Sequence, residues 1–227
     1  MKKEEVLARI VDIGIIPSVR VASAEDAKFA AEAVSKAGIP IVEITMTIPN
    51  AIEVMCELMK HLPDTIVGAG SVLDVEMARS CSGGGAHFLT SDGLDVEVVE
   101  LAVKQGTLVI PGTLTPTEII TAWKAGADLV KVVPCGQVGG DSYIRALKAA
   151  LPQVPLVAAG GVNQLTAANY ILAGATALGV GSELIPKNSI RLREAGRIRV
   201  LAHRFINFVK TARAQMAPQK EAAAHRK

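Results

Sequence analysis

Aromatic side chains are nearly missing from this chain: two Tyr, four Phe and one Trp make up 3% of its 227 residues. A core must then be packed from aliphatic side chains, and the aromatic interleaving expected of nucleic-acid binders is not there. Excess charge of one sign is lacking too. Twenty-four Lys and Arg against 22 Asp and Glu leave a formal net charge of +2. That gives no argument for nucleic acid, while leaving a small anionic ligand open. Cys56, Cys81 and Cys135 are too few and too widely spaced for a disulfide framework or a zinc pattern, which points to a reducing cytoplasm. His61 and His87 have no Cys or Asp partner at ligand spacing and read as structural or solvated, so no metal and no cofactor is expected. No apolar run is long enough to cross a bilayer, and the polar start Met-Lys-Lys-Glu-Glu predicts no signal peptide.

What is present is aliphatic and rhythmic. Half of the residues are hydrophobic, and short β-branched runs recur at Ile15–Arg20, Pro40–Thr45, Thr65–Ala69, His87–Thr90, Thr107–Ile110, Leu129–Val133, Leu156–Ala158 and Ala177–Val180. Such runs read as strands buried on both faces. Helix signals separate them. Ser23 with Asp26, Asn50, Asp74 and Asp95 stand as N-caps, Gly38 and the Gly83-Gly84-Gly85 run stand as helix stops, and Thr115-Pro-Thr-Glu118 is a capping box with proline at the first helical position. Pro111-Gly112 reads as a turn. Eight strand–helix units predict an α/β fold, a single (β/α)8 barrel over residues 1–215. A short helix precedes it, a basic helical region spans about 189–213, and residues 216–227 read as a polar tail. Arg191, Arg193, Arg197 and Arg199 read as a solvated helix face.

Catalytic groups of such barrels lie at the C-terminal ends of strands. Lys131, set among Leu129-Val-Lys-Val-Val-Pro134, is therefore the centre of interest. Burial disfavours an ammonium ion, so a buried lysine can be freed to attack a carbonyl. The other reading is a lysine whose amine reaches solvent or a carboxylate. Glu43, inside Ile-Val-Glu-Ile-Thr, is either a general acid/base beside Lys131 or its structural ion-pair partner. Arg20 either clamps a carboxylate or pairs with Glu43 or Asp92. Ser71 and Ser91 also fall near strand ends. Gly160-Gly161 and Gly181-Ser182 follow the last two strands, where backbone N–H groups suit a phosphate or another anion. Cys135 sits at the mouth of the lysine strand without a neighbour that would make it a nucleophile.

With these residues placed, the chain resembles the 2-keto-3-deoxy-6-phosphogluconate (KDPG) and 4-hydroxy-2-oxoglutarate aldolase family over residues 5–210. The matching pieces are Pro17-Ser-Val-Arg20, Ile41-Val-Glu-Ile-Thr45, Gly68-Ala-Gly-Ser-Val72, Pro111 to Glu118, Leu129 to Pro134, Ala159-Gly-Gly-Val162 and Gly179-Val-Gly-Ser182, in the family's order. The resemblance implies a class I aldolase that cleaves a 2-keto-3-deoxy sugar acid phosphate, or 4-hydroxy-2-oxoglutarate, to pyruvate and an aldehyde. It implies Lys131 as the Schiff-base lysine, Glu43 as general acid/base, and Arg20 near the substrate carboxylate. Ser71 takes the place of a pyruvate-contacting threonine, Gly160, Gly161 and Ser182 match the phosphate loops, and Thr47 stands where many members carry a pyruvate-binding arginine. A homotrimer that uses no metal is implied as well. Three further departures are Asp92 in place of a proline, Val133 in place of a phenylalanine, and Ala159 in place of a threonine. A sugar-phosphate epimerase or isomerase without a Schiff base, and an oligomeric barrel serving as scaffold or ligand-binding protein, are the alternative readings.

Overall fold

The computed structural model describes the backbone of residues 1–224 and the side chains of residues 1–216. Helix α1 (Lys3–Ile13) leads into β1 (Ile15–Val19), and alternation follows: α2 (Ala24–Lys36), β2 (Ile41–Thr45), α3 (Ala51–His61), β3 (Ile66–Gly70), α4 (Val75–Gly83), β4 (Phe88–Thr90) and α5 (Val96–Gln105). Beyond lie β5 (Leu108–Ile110), β6 (Gly112–Thr113), α6 (Pro116–Lys124), β7 (Val130–Val132), a 3-10 turn at Cys135–Val138, α7 (Asp141–Ala150), β8 (Leu156–Ala159), α8 (Ala167–Leu172), β9 (Ala177–Val180), α9 (Lys187–Arg191) and α10 (Ala195–Ala224).

All strand pairs are parallel, in the order β5-β4-β3-β2-β1-β9-β8-β7-β6. Because β5 and β6 are joined through Pro111, the two ends of that order meet and the sheet closes into the expected (β/α)8 barrel. Pro111-Gly112 is therefore a break within one barrel strand rather than a turn away from it. Proline has no N–H to give the ladder, but its carbonyl still accepts the Lys131 N–H at 2.9 Å, so the seam stays hydrogen-bonded.

The strands are nearly uniformly buried, as expected of a sheet covered on both faces. Around them, α2 buries Ala27, Ala30, Ala31 and Val34, and α10 buries Ile198, Leu201, Ala202, Phe205 and Val209, both at helical spacing. The Thr115 capping box forms in both directions, and Asp74 and Asp95 cap their helices. Ser23 accepts from the Asp26 N–H in one direction only. Asn50 differs from expectation: it stands before α3 in a left-handed conformation (φ 54°) and its side chain caps nothing. The basic C-terminal region is two helices, because Arg193 adopts a left-handed φ of 54° between α9 and α10. Arg193 also pairs with Asp26 at 2.8 Å and lies over the Phe29 ring, so it is a docking contact and not simply solvated. Helix α10 continues to Ala224, into the stretch expected as a polar tail; residues 225–227 lie outside the described residues.

At the N-terminal end of the barrel, Arg213 donates to the carbonyls of Val11, Asp12 and Thr176 and ties α10 to α1. His87 is structural, as expected. Its Nδ1 accepts the Val67 N–H at 3.0 Å, and burial pushes its pKa below the ordinary imidazole value. The unfolded chain then binds a proton that the folded chain resists, so stability should fall as pH drops below about 6.5. His87→Gln, which offers Val67 an amide oxygen and does not titrate, is expected to flatten this fall when urea midpoints are compared between pH 7.5 and 5.5.

Candidate active site

A cavity of about 770 Å³ opens at the C-terminal mouth of the barrel. Lys131 enters it from β7, whose register sets it between Gly112 and Val157. Glu43 enters from β2, in register with Ser18 and Gly68. Both are buried, at 6% exposure each. Glu43 is held at both oxygens: Oε1 accepts from Ser18 Oγ and Oε2 from Thr90 Oγ1, each at 2.8 Å. These two bonds satisfy the buried carboxylate and leave its position defined by three strands. A Cβ at position 70 would collide with the Glu43 carboxylate, so Gly70 is what lets that side chain lie across β3.

Lys131 does not pair with Glu43. Its Nζ lies 3.0 Å from Oδ1 of Asp92, on the turn after β4. The other oxygen of Asp92 accepts from Ser71 Oγ at 3.0 Å and faces Arg20 Nη2 at 3.4 Å. Arg20 also reaches Ser71 Oγ at 3.3 Å. Of the alternatives for Arg20, the pair with Asp92 is the one present. Ser71 carries a left-handed φ of 58°, unusual for a residue with a Cβ, and this conformation accompanies a hydroxyl turned toward Asp92. Burial pushes the Asp92 carboxyl upward, but the Lys131 charge and hydrogen bond, with those of Ser71 and Arg20, outweigh it and hold the group below the usual carboxylate range.

Gly160 and Gly161, directly after β8, adopt φ values of 73° and 95° that a residue with a side chain rarely takes. They pack on the chain at Pro134 and Gly136, where any Cβ would clash, and they line the cavity together with Ser182 beyond β9. Cys135 lies buried beneath this loop and donates to the Gly160 carbonyl at 3.4 Å. Burial raises its thiol, the opposite of what a nucleophile needs.

Six of the eight expected site residues thus line one cavity: Lys131, Glu43, Arg20, Gly160, Gly161 and Ser182. Ser71 joins them through Asp92 and Arg20. Thr47 is not brought in; it is exposed on the turn after β2 and shares a hydrogen bond with Thr45 Oγ1 at 3.0 Å. Ser18, Thr90 and Lys187 belong to the site or its support and were not expected there; Asp92, expected only as a partner of Arg20, also holds Lys131. Ser18 and Thr90 signalled themselves only as polar residues in apolar strands, and Lys187 gave no signal.

A buried amine and a buried carboxylate at the mouth of a (β/α)8 barrel define an enzyme site, and the comparisons with known proteins say which kind. The chain belongs to the KDPG and KHG aldolase family, whose model matches residues 6–201. It is accordingly an aldolase, a carbon–carbon lyase. It is 30% identical over 197 residues to the 2-dehydro-3-deoxy-phosphogluconate aldolase of Treponema pallidum, covering 87% of this chain and 94% of that one. It is 36% identical over 154 residues to the 2-dehydro-3-deoxy-6-phosphogalactonate aldolase of Escherichia coli, covering 67% and 75%. Among solved structures it is similar to the KDPG aldolase of Legionella pneumophila with pyruvate captured as a covalent carbinolamine intermediate. That likeness has a TM-score of 0.79 and 28% identity, and covers 86% of this chain and 95% of that one. Among the described residues, no helix is long and apolar enough to cross a membrane.

Proposed function

We propose that this chain is a class I aldolase that reversibly cleaves a 2-keto-3-deoxy sugar acid phosphate, or 4-hydroxy-2-oxoglutarate, to pyruvate and an aldehyde through a Schiff base on Lys131. The observation that carries this reading is the convergence of two buried groups, the Lys131 amine and the Glu43 carboxylate, on one cavity. The amine attacks the C2 carbonyl and forms a carbinolamine. Loss of water, with Glu43 moving the protons, leaves a protonated imine. Glu43 then takes the proton of the C4 hydroxyl, the C3–C4 bond breaks, and its electron pair flows into the imine. The aldehyde leaves, and the remaining enamine takes a proton at C3. Water then releases pyruvate and restores the amine.

Arg20 and Ser71 lie on the Asp92 side of Lys131, where the keto-acid carboxylate has its donors. Gly160, Gly161 and Ser182, with Lys187 in the same lining, suit the far anionic end of a phosphorylated substrate. The carbinolamine captured in the Legionella pneumophila relative supports the covalent route. Phosphogluconate and phosphogalactonate relatives both match, so the reading names the substrate class and not the C4 configuration. A cytoplasmic homotrimer is part of the same reading; exposed Val103, Ile120 and Trp123 on the neighbouring helices α5 and α6 are apolar surface that copies of the chain would cover.

The test is to incubate the protein with pyruvate, reduce with borohydride and map the adduct by peptide mass. One adduct on Lys131 is expected. A folded sample with Lys131 unmodified would sink the Schiff-base route.

A further inference from the structure

Asp92 reaches into the mouth of the barrel beside Lys131. Three donors converge on its side chain: the Lys131 amine on one oxygen, and the Ser71 hydroxyl and Arg20 guanidinium on the other. A hydroxyl and a guanidinium facing one carboxylate oxygen, next to the only lysine amine among them, make a binding site for a carboxylate adjoining a carbonyl. That site is filled by the protein's own residue.

The backbone beneath Asp92 is fixed. Ser91 Oγ donates to the Gly93 carbonyl at 2.5 Å and accepts the Gly112 N–H at 3.1 Å. A Cβ on Gly112 would collide with the Asp92 backbone, so β6 packs directly against this turn. The side chain is different. It is 43% exposed, on the solvent side of the buried Lys131. A rotation about its own side-chain torsions would carry the carboxylate away without moving the turn. Rotating a short side chain is a small conformational change, but it gives up two charged partners and a hydroxyl.

Resting on the Schiff-base reading above, we propose that Asp92 is a specificity-determining residue: an internal carboxylate that holds the keto-acid subsite closed and that an incoming 2-keto acid displaces from Arg20 and Ser71. A ligand that must first displace an internal occupant binds with its affinity reduced by the fraction of open sites. The penalty falls on ligands that carry a carboxylate beside the carbonyl. A neutral carbonyl compound that needs only the amine does not require Arg20 and Ser71. Asp92 therefore lowers the preference of this site for anionic over neutral carbonyl partners.

The experiment compares pyruvate with its neutral methyl ester as probes for borohydride trapping. The readout is the ratio of their half-saturating concentrations, which cancels any effect on Lys131 that both probes share. Asp92→Asn keeps the shape of the side chain and removes its charge. It is expected to shift the ratio about tenfold in favour of pyruvate relative to the unsubstituted protein. Asp92→Ser, smaller and also uncharged, is expected to do the same, so a folding defect in one variant does not decide the matter. An unchanged ratio in the folded variants overturns the proposal. Should no protein form an adduct with either probe, the Schiff-base route fails instead. Calorimetric titration with pyruvate then decides Asp92 separately: tighter binding to Asp92→Asn upholds the displaced carboxylate, and equal binding overturns it.

Discussion

Lys131→Met is expected to abolish turnover, with a fall on the order of 10⁴-fold or more, the size of loss that follows removal of a catalytic nucleophile. Methionine keeps the length and much of the apolar stem of lysine, so the strand position between Gly112 and Val157 stays filled. The amine alone is lost, and with it the imine proposed for this strand. The fold should survive. Asp92, the partner left behind, is half exposed and keeps Ser71 and Arg20, so no buried charge is stranded. The expected loss of stability is about 1 kcal/mol or less, typical of a pair open to solvent on one side. Circular dichroism and a thermal melt check the fold, a coupled pyruvate assay checks turnover, and mass mapping checks that no adduct forms elsewhere. Substantial cleavage by a folded Lys131→Met protein would remove the covalent mechanism outright. It would move the chemistry to a route that needs neither the amine nor the charge of Lys131.

How far the site was legible in the sequence depended on whether the needed information is local. Lys131 and Glu43 each stand out because a charge interrupts an apolar β-branched run, and burial of such a residue needs a partner or a task. The barrel was legible for the same reason, since eight buried strands alternate with helices whose caps are written within a few residues, as at Thr115 to Glu118. The partners of those charges are set by closure of the barrel. Asp92 meets Lys131 across 39 residues, through the seam where β5 and β6 join, and the pattern around Asp92 shows only a polar turn. Glu43 is 47 residues from Thr90 and 25 from Ser18, so its separation from Lys131 follows from hydroxyls that local spacing does not connect. Backbone conformations were hidden in a different way. The left-handed φ at Ser71 and Arg193 falls on residue types that signal no such bend, whereas Asn50 is of a type that takes it readily. Thr47 was expected at the site by likeness of position alone. The chain past Thr45 instead turns it toward the Thr45 hydroxyl.

Glu43→Gln is the second large effect, an expected loss of about 10²- to 10⁴-fold in cleavage, the range for removing a positioned general acid/base. The substitution isolates proton transfer from structure because of how Glu43 is held. Ser18 and Thr90 each donate a hydroxyl proton to one of its oxygens. A glutamine accepts one of these bonds through its oxygen and donates the other through its amide, and either hydroxyl rotates to suit. Burial and shape are retained, so the melting temperature should change little. The decisive measurement is deuterium exchange at the methyl group of pyruvate, followed by proton NMR in D2O. Exchange requires imine formation and then removal and return of a proton at C3, with no aldehyde present. If Glu43 moves the protons, exchange and cleavage fall together in Glu43→Gln. If Glu43 only braces β1, β2 and β4, exchange continues near the unsubstituted rate and the variant's defect appears as lost stability instead. The two outcomes are opposite in both observables, and together with the Lys131→Met result they separate the nucleophile from the proton carrier.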